Sequence, residues 1–160
     1  MTNAAIPMTT AIRMLKDHKV EFEPCFYEYE EKGGTAVSSR ELNVPEHNVI
    51  KTLIMEDDQK KPMIVLMHGD QQVSTKQLAR ELNVKSVKPC EPEVANRHSG
   101  YVVGGTSPFA TKKNMPVIMQ KTIADLPFIL INGGKKGFLV RLSPNVVIQL
   151  LNPKLFDIKA

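Results

Sequence analysis

A chain of 160 residues with 42% apolar and 24% charged residues has material for one core, so a single domain is expected and a multidomain organisation is not. No stretch approaches the roughly 18 apolar residues that cross a bilayer, and Met1 to Pro7 has neither a basic start nor an apolar run, so membrane insertion and a secretory signal are not expected. A cytoplasmic location follows as the expectation, and a net charge of +4 permits contact with a polyanion without requiring it.

The first predicted element is a helix from about Thr9 to His18, with Ala11, Ile12 and Leu15 on one stripe and a threonine as N-cap. Val20 to Tyr29 alternates well enough for a strand, which Pro24 confines to an edge or bulge and Gly33-Gly34 ends. The segments Val37 to Val44 and Gln77 to Val84 share Arg-Glu-Leu-Asn-Val. Both read as helix ends, because asparagine suits the left-handed position that stops a helix and the valine after it packs back on the last turn. Two copies with different flanks are one local solution used twice, not a repeat protein.

Val49 to Glu56 and Pro62 to His68 are predicted strands of a hairpin joined by Asp57 to Lys60. Ser74 caps the second of the paired helices, Ser86 to Lys88 is a short strand, and Pro92 to Arg97 a further helical turn. Met115 to Met119, Pro127 to Asn132 and Phe138 to Leu142 complete the strands, the last two joined by Gly133 to Gly137. Ser143-Pro144 opens a final helix that Asn152-Pro153 closes. Strands and short helices without regular βαβ alternation predict an α+β domain. Its sheet is expected to be curved, mixed and largely antiparallel, barrel-like, and flanked by short helices; a doubly wound nucleotide fold is the weaker alternative.

Metal and redox chemistry find no pattern to support them. Cys25 and Cys90 have no CxxC neighbour, and His18, His47, His68 and His98 lack ligand spacing, so no metal or other cofactor is expected. Three segments could carry chemistry. Lys51 interrupts the apolar strand Val49 to Met55, where an ammonium is costly to bury without a partner; the alternative is the solvent face of a half-buried strand. Gly100-Tyr101-Val102-Val103-Gly104-Gly105-Thr106-Ser107-Pro108 is a glycine-rich turn whose amides could face a carbonyl oxygen or phosphate, though it has neither Walker nor GxGxxG order. Asn132-Gly133-Gly134-Lys135-Lys136-Gly137 could serve likewise, or be only a hairpin connection. From Lys112 to Lys136 the cations Lys112, Lys113, Lys121, Lys135 and Lys136 meet only Asp125, which predicts a positive region.

Taken together, Val49-Ile50-Lys51-Thr52-Leu53, the Ser99 to Pro108 loop, Lys112-Lys113, Met115-Pro116 and Asn132 to Gly137 resemble the YbaK/EbsC family in order and spacing, nearest its cysteinyl-tRNA(Pro) deacylase branch. The resemblance implies a relative of the editing domain of bacterial prolyl-tRNA synthetase, acting in trans on mischarged aminoacyl-tRNA, with transient recruitment to that synthetase by analogy. It implies that Lys51 is the functional lysine and that Tyr27, Gly104, Gly105, Thr106, Ser107, Pro108, Gly133 and Gly134 belong to the substrate pocket. Lys112, Lys113, Lys135 and Lys136 are then the expected tRNA contacts. For cysteine it implies that the substrate's own thiol attacks the ester and leaves as a thiolactone, which fits the lack of a Ser-His-Asp or Cys-His set.

Two positions depart from the branch. Leu139 stands where an aspartate is expected, and the segment between Tyr27 and Lys51 is shorter, with Gly34 near the place of an aromatic that Phe26 or Tyr29 could replace. The resulting alternatives are alanyl-tRNA(Pro) or another small aminoacyl-tRNA as substrate, or a non-catalytic binder of tRNA or a nucleotide.

Overall fold

The computed structural model describes residues 5–160, and among these the chain forms five α-helices and eight strands. The helices are α1 (Thr10–Asp17), α2 (Gly34–Leu42), α3 (Thr75–Leu82), α4 (Pro92–Ser99) and α5 (Pro144–Leu151). The strands are β1 (Glu23–Phe26), β2 (Val49–Asp57), β3 (Pro62–His68), β4 (Val87–Pro89), β5 (Val117–Gln120), β6 (Ile129–Lys135), β7 (Phe138–Leu142) and β8 (Lys154–Phe156). None of the described helices is long and apolar enough to cross a membrane.

Local chemistry sets the helix ends. The hydroxyls of Thr9, Ser74 and Ser143 accept from the amides of Ile12, Gln77 and Asn145 at 3.1, 3.1 and 3.2 Å, satisfying donors that a helix start leaves free. Asn43, Asn83 and Asn152 close α2, α3 and α5 in the left-handed region, at φ 54°, 57° and 46°. The Val44 and Val84 amides then reach back to Ser39 and Ala79 carbonyls at 3.1 and 3.0 Å, so the shared Arg-Glu-Leu-Asn-Val is one stop signal used twice.

All eight strands belong to one sheet in the order β1-β7-β6-β2-β3-β5-β8, with β4 also on β2. The β1/β7, β6/β7, β2/β3 and β2/β4 pairs are antiparallel, and β2/β6, β3/β5 and β5/β8 are parallel. The α+β, mixed-sheet expectation holds, and the sheet stays open at β1 and β8. Pro24 is tolerated because β1 is an edge.

Three details differ from the sequence reading. The first strand is only Glu23–Phe26, and Gly34 begins α2 instead of ending a strand. Gly133, Gly134 and Lys135 belong to β6 across a register shift instead of forming a free loop. The β8 strand was not foreseen; it is three residues long and its side chains are largely exposed, so it carries no apolar period.

β2 is the axis of the fold because it has cores on both faces. Ile50 and Ile54 pack with Ala11, Ile12 and Leu15 of α1, while Met55 packs with Met67 and with Leu78 of α3, and Val49 with Leu130 and Leu139. A strand covered on both sides loses its alternation and reads as an apolar run. Each fully buried aliphatic side chain here contributes about 1.5–3 kcal/mol.

Candidate active site

The site begins as a parting in the sheet. On one side β2 pairs with β3 from Ile50 to Glu56. On the other it pairs with β6 only at Val49 and Ile50 and with β4 only from Met55 onward. Between these, β6 departs through its bulge at Asn132–Lys135, and β2 is left without a neighbouring strand. A cleft of about 630 Å³ occupies the gap, bordered by Lys51, Thr52 and Leu53 of β2, by Tyr27 and Tyr29 after β1, and by Gly104 and Thr106.

Lys51 is half-buried and its ammonium donates to the Gln71 carbonyl. Burial pushes its pKa below the ordinary lysine value, and the Glu46 and Asp70 carboxylates act in the opposite direction by favouring the cation. Both acids are held in place: the Thr35 hydroxyl donates to Glu46 at 2.7 Å, and Asp70 lies 3.0 Å from His47 Nδ1. Of the two local readings of Lys51, the structure gives neither a plain solvent face nor full burial.

The glycine-rich loop is braced from three sides. Asn96 Oδ1 accepts from Val103 N at 3.0 Å, the Gly105 amide donates to Val102 O at 2.7 Å, and Asn132 Nδ2 donates to Gly104 O at 3.3 Å. Asn132 Oδ1 also accepts from the Gly134 and Lys135 amides at 2.7 and 3.1 Å, so one side chain ties the loop to the β6 bulge. Gly105 lies directly on that bulge: a Cβ there would stand 2.8 Å from Lys136 N and 2.9 Å from Lys135 C. Gly104, at φ +95°, lies against the Tyr29 ring.

The residues named from sequence therefore divide into two layers. Tyr27, Lys51, Gly104 and Thr106 border the cleft. Gly105, Ser107, Pro108, Gly133 and Gly134 lie behind that lining as its frame, with Ser107 Oγ accepting from Phe109 N at 3.2 Å and the Thr9 hydroxyl donating to Gly133 O. Lys112, Lys113, Lys135 and Lys136 are exposed, but Lys136 is paired with Glu31 at 3.1 Å and sits 5.1 Å from the Tyr29 ring centroid. The Lys112 and Lys113 amides donate to Ser99 and His98 carbonyls at 2.9 Å, which places this pair beside the end of α4.

Leu139, in place of the expected acid, and Gly34 both border the cleft, and so does Tyr29. Phe26 does not; it stacks on Phe138 with centroids 5.1 Å apart. Sequence reasoning missed Asn132 as the brace and Thr52 as a lining residue.

Residues 30–150 match the family described as the aminoacyl-tRNA editing domain. The chain belongs to that family. The resemblance read from its motifs is borne out. A candidate Cys-tRNA(Pro)/Cys-tRNA(Cys) deacylase, EbsC of Enterococcus faecalis, is 27% identical over 94% of this chain and 92% of its own length. The proline–tRNA ligase of Streptococcus thermophilus is 26% identical over 86% of the chain, which spans only 21% of that enzyme. Among solved structures, a candidate trans-editing enzyme for prolyl tRNA synthetase superposes with a TM-score of 0.81 at 15% identity, over 98% of this chain and 99% of the other. The hypothetical protein APE2540 superposes with 0.86 at 18% identity, over 95% of this chain and all of the other.

Beside Lys51 this editing domain gathers His47, His68 and Asp70, whose potential ligand atoms lie within 4.8 Å of one another, a proximity their sequence spacing did not suggest. The two rings stack 3.7 Å apart at 5°. Both His68 nitrogens are used, Nδ1–H donating to His47 O and Nε2 accepting from the Thr122 hydroxyl, each at 2.7 Å, so no lone pair is left there for a metal.

Burial holds the His68 pKa below 6.5, ahead of the opposing effect of its bond to the His47 carbonyl. Above the unfolded value both states are neutral; as the pH falls through it, the unfolded chain takes up a proton that the folded chain resists, and stability declines. The unfolding free energy is therefore expected to fall between about pH 7 and pH 5, with a shallower slope in His68→Gln. Equal slopes for the two proteins in urea titrations would remove His68 as the source.

Proposed function

We propose that this domain deacylates mischarged tRNA in trans, with Cys-tRNA(Pro) as its substrate. The carrying observation is that Lys51, Gly104 and Thr106 border one cleft in a parted sheet. The cleft, at about 630 Å³, is of a size that holds a small ligand such as an aminoacyl nucleoside. Membership of the editing family and the name of the EbsC relative support the reading.

Catalysis rests on positioning and charge. No histidine lines the cleft among the described residues, and burial, with Glu56 beside it, pushes the Cys90 thiol up to about 12, so it stays protonated near neutrality and is a poor nucleophile. The cysteinyl substrate supplies its own: the thiol sulfur bonds to the ester carbonyl carbon, the carbon–oxygen bond to the terminal ribose breaks, and the thiol proton ends on the ribose hydroxyl. Lys51 and the loop amides stabilise the negative charge that develops on the carbonyl oxygen. Near-attack geometry alone is worth about 7 kcal/mol or more in well-oriented cases.

One observation favours a second reading. Leu139 is 5% exposed and packs with Val49 and Leu130, so this end of the cleft offers an apolar wall where the cysteine branch is expected to carry an acid. Alanine, esterified to the same tRNA and cleaved by water, fits such a wall. A deacylation panel of cysteinyl-, seryl- and alanyl-tRNA(Pro), with products identified, decides. The proposal expects cysteine to be released fastest, as thiolactone, and serine to be slow; faster loss of alanine moves the substrate to the second reading, and no multiple turnover with any of them refutes the deacylase.

A further inference from the structure

The cleft crosses the free edge of β2, a consequence of the sheet's parting. Lys51 and Thr52 are consecutive on a strand, so their side chains leave opposite faces, and both border the cleft. Thr52 shares its face with Ile50 and Ile54, which belong to the main core. Its hydroxyl oxygen is enclosed and has no hydrogen-bond partner.

The main chain of Thr52 is also open. Backbone groups alternate sides along a strand. Val49 O faces the β3 side, accepting from Gly69 N at 2.7 Å, and Ile54 O faces the other side, accepting from Cys90 N at 3.0 Å. Thr52 lies two residues before Ile54, so its N–H and C=O face the same way, into the gap where β6 has ended its pairing at Ile50 and β4 has not begun. One residue thus presents a main-chain donor and acceptor to a single cleft and carries, enclosed beside them, a hydroxyl without a partner.

An enclosed hydroxyl without a partner is unfavourable, and a valine of the same shape would suit a face shared with two isoleucines better. The hydroxyl is explained by a ligand. We infer that Thr52 is a substrate-recognition residue: its carbonyl and hydroxyl receive the α-ammonium of the aminoacyl group, and its amide donates to the carbonyl of the same group. Rotation of χ1 between staggered wells turns the hydroxyl toward the cleft. The substrate's polar head then completes the interrupted edge of β2, while Lys51 approaches from the opposite face of the strand. The identity of the ligand rests on the deacylase reading.

The test uses Thr52→Val and Thr52→Ser with a non-hydrolysable probe, 3′-aminoacylamino-3′-deoxyadenosine carrying cysteine or alanine, so that binding is read apart from turnover. Thr52→Val is expected to bind the better probe about 10- to 100-fold more weakly, with an unfolding midpoint equal to or above that of the wild type, and Thr52→Ser to bind within about threefold of the wild type. Equal binding by Thr52→Val overturns the inference. So does a weakened Thr52→Val whose unfolding midpoint drops, which marks a structural role, or a wild type that binds neither probe. Binding without any turnover of charged tRNA would sink the deacylase reading and leave Thr52 in place.

Discussion

Lys51→Ala is expected to lower kcat/KM for deacylation by about 10²- to 10³-fold, the effect of removing one preorganised group that faces charge developing in the transition state. Its stability should change little. The ammonium is half-buried, and burial, which disfavours its charge, outweighs the Glu46 and Asp70 carboxylates, which favour it, in setting its pKa below the ordinary lysine value. Removing it relieves that cost, while the Gln71 carbonyl loses its donor and the Glu46 and Asp70 carboxylates a nearby cation, so the effects oppose one another. Lys51→Arg should not restore the rate, because a planar guanidinium is bulkier and presents its donors as a fork in a cleft fitted to a point charge. Single-turnover rates on charged tRNA and urea unfolding of the same variants separate the two effects. A rate within threefold of the wild type would take Lys51 out of the mechanism.

Gly104→Ala should have the next largest effect, through shape and not charge. At φ +95° a side chain is strained by about 1–3 kcal/mol, a shift of a few degrees in the unfolding midpoint for a chain of this size. The new methyl would also overlap the Tyr29 hydroxyl and stand 3.3 Å from Lys136 Cε, so Tyr29 must move, and Tyr29 borders the cleft. The expected result is a loss of at least about tenfold in kcat/KM. Removing the overlapping oxygen in Gly104→Ala/Tyr29→Phe should recover part of it, and a double-mutant cycle measures that part. Strictly additive losses would mean that the two residues do not meet as described.

Sequence reading did well where a feature is decided by neighbours in the chain. The asparagine stops of α2, α3 and α5, the serine caps and the β2–β3 hairpin each depend on a few consecutive residues, and each formed where the pattern placed it. It did less well where the deciding partner is remote. Lys51 reads locally as a lysine on the outer face of a strand, because nothing near it in sequence reveals that β6 and β4 share the same side of β2 and leave a gap between them. His47 and His68 have no readable spacing, yet their rings stack. The family resemblance directed attention to Lys51 and the loop, but Asn132, which ties the loop to the β6 bulge, and Thr52, which faces the gap, owe their places to strands paired across long stretches of chain.

The parted sheet also has a consequence for the order of events in folding. The β2–β3 hairpin closes across a short turn, whereas the β6 side of β2 is supplied by a segment some 80 residues further on, as the bond from Asn48 to the Phe128 carbonyl records. Local pairings form before distant ones, which must first overcome the entropy of closing a long loop. The hairpin is therefore expected early, and the β6–β7 ribbon with its bulge late. A partly folded chain would hold Lys51 on a strand with no wall opposite it. Competence to act would then arrive with the final long-range contacts, so that an incompletely folded molecule is inactive instead of indiscriminate.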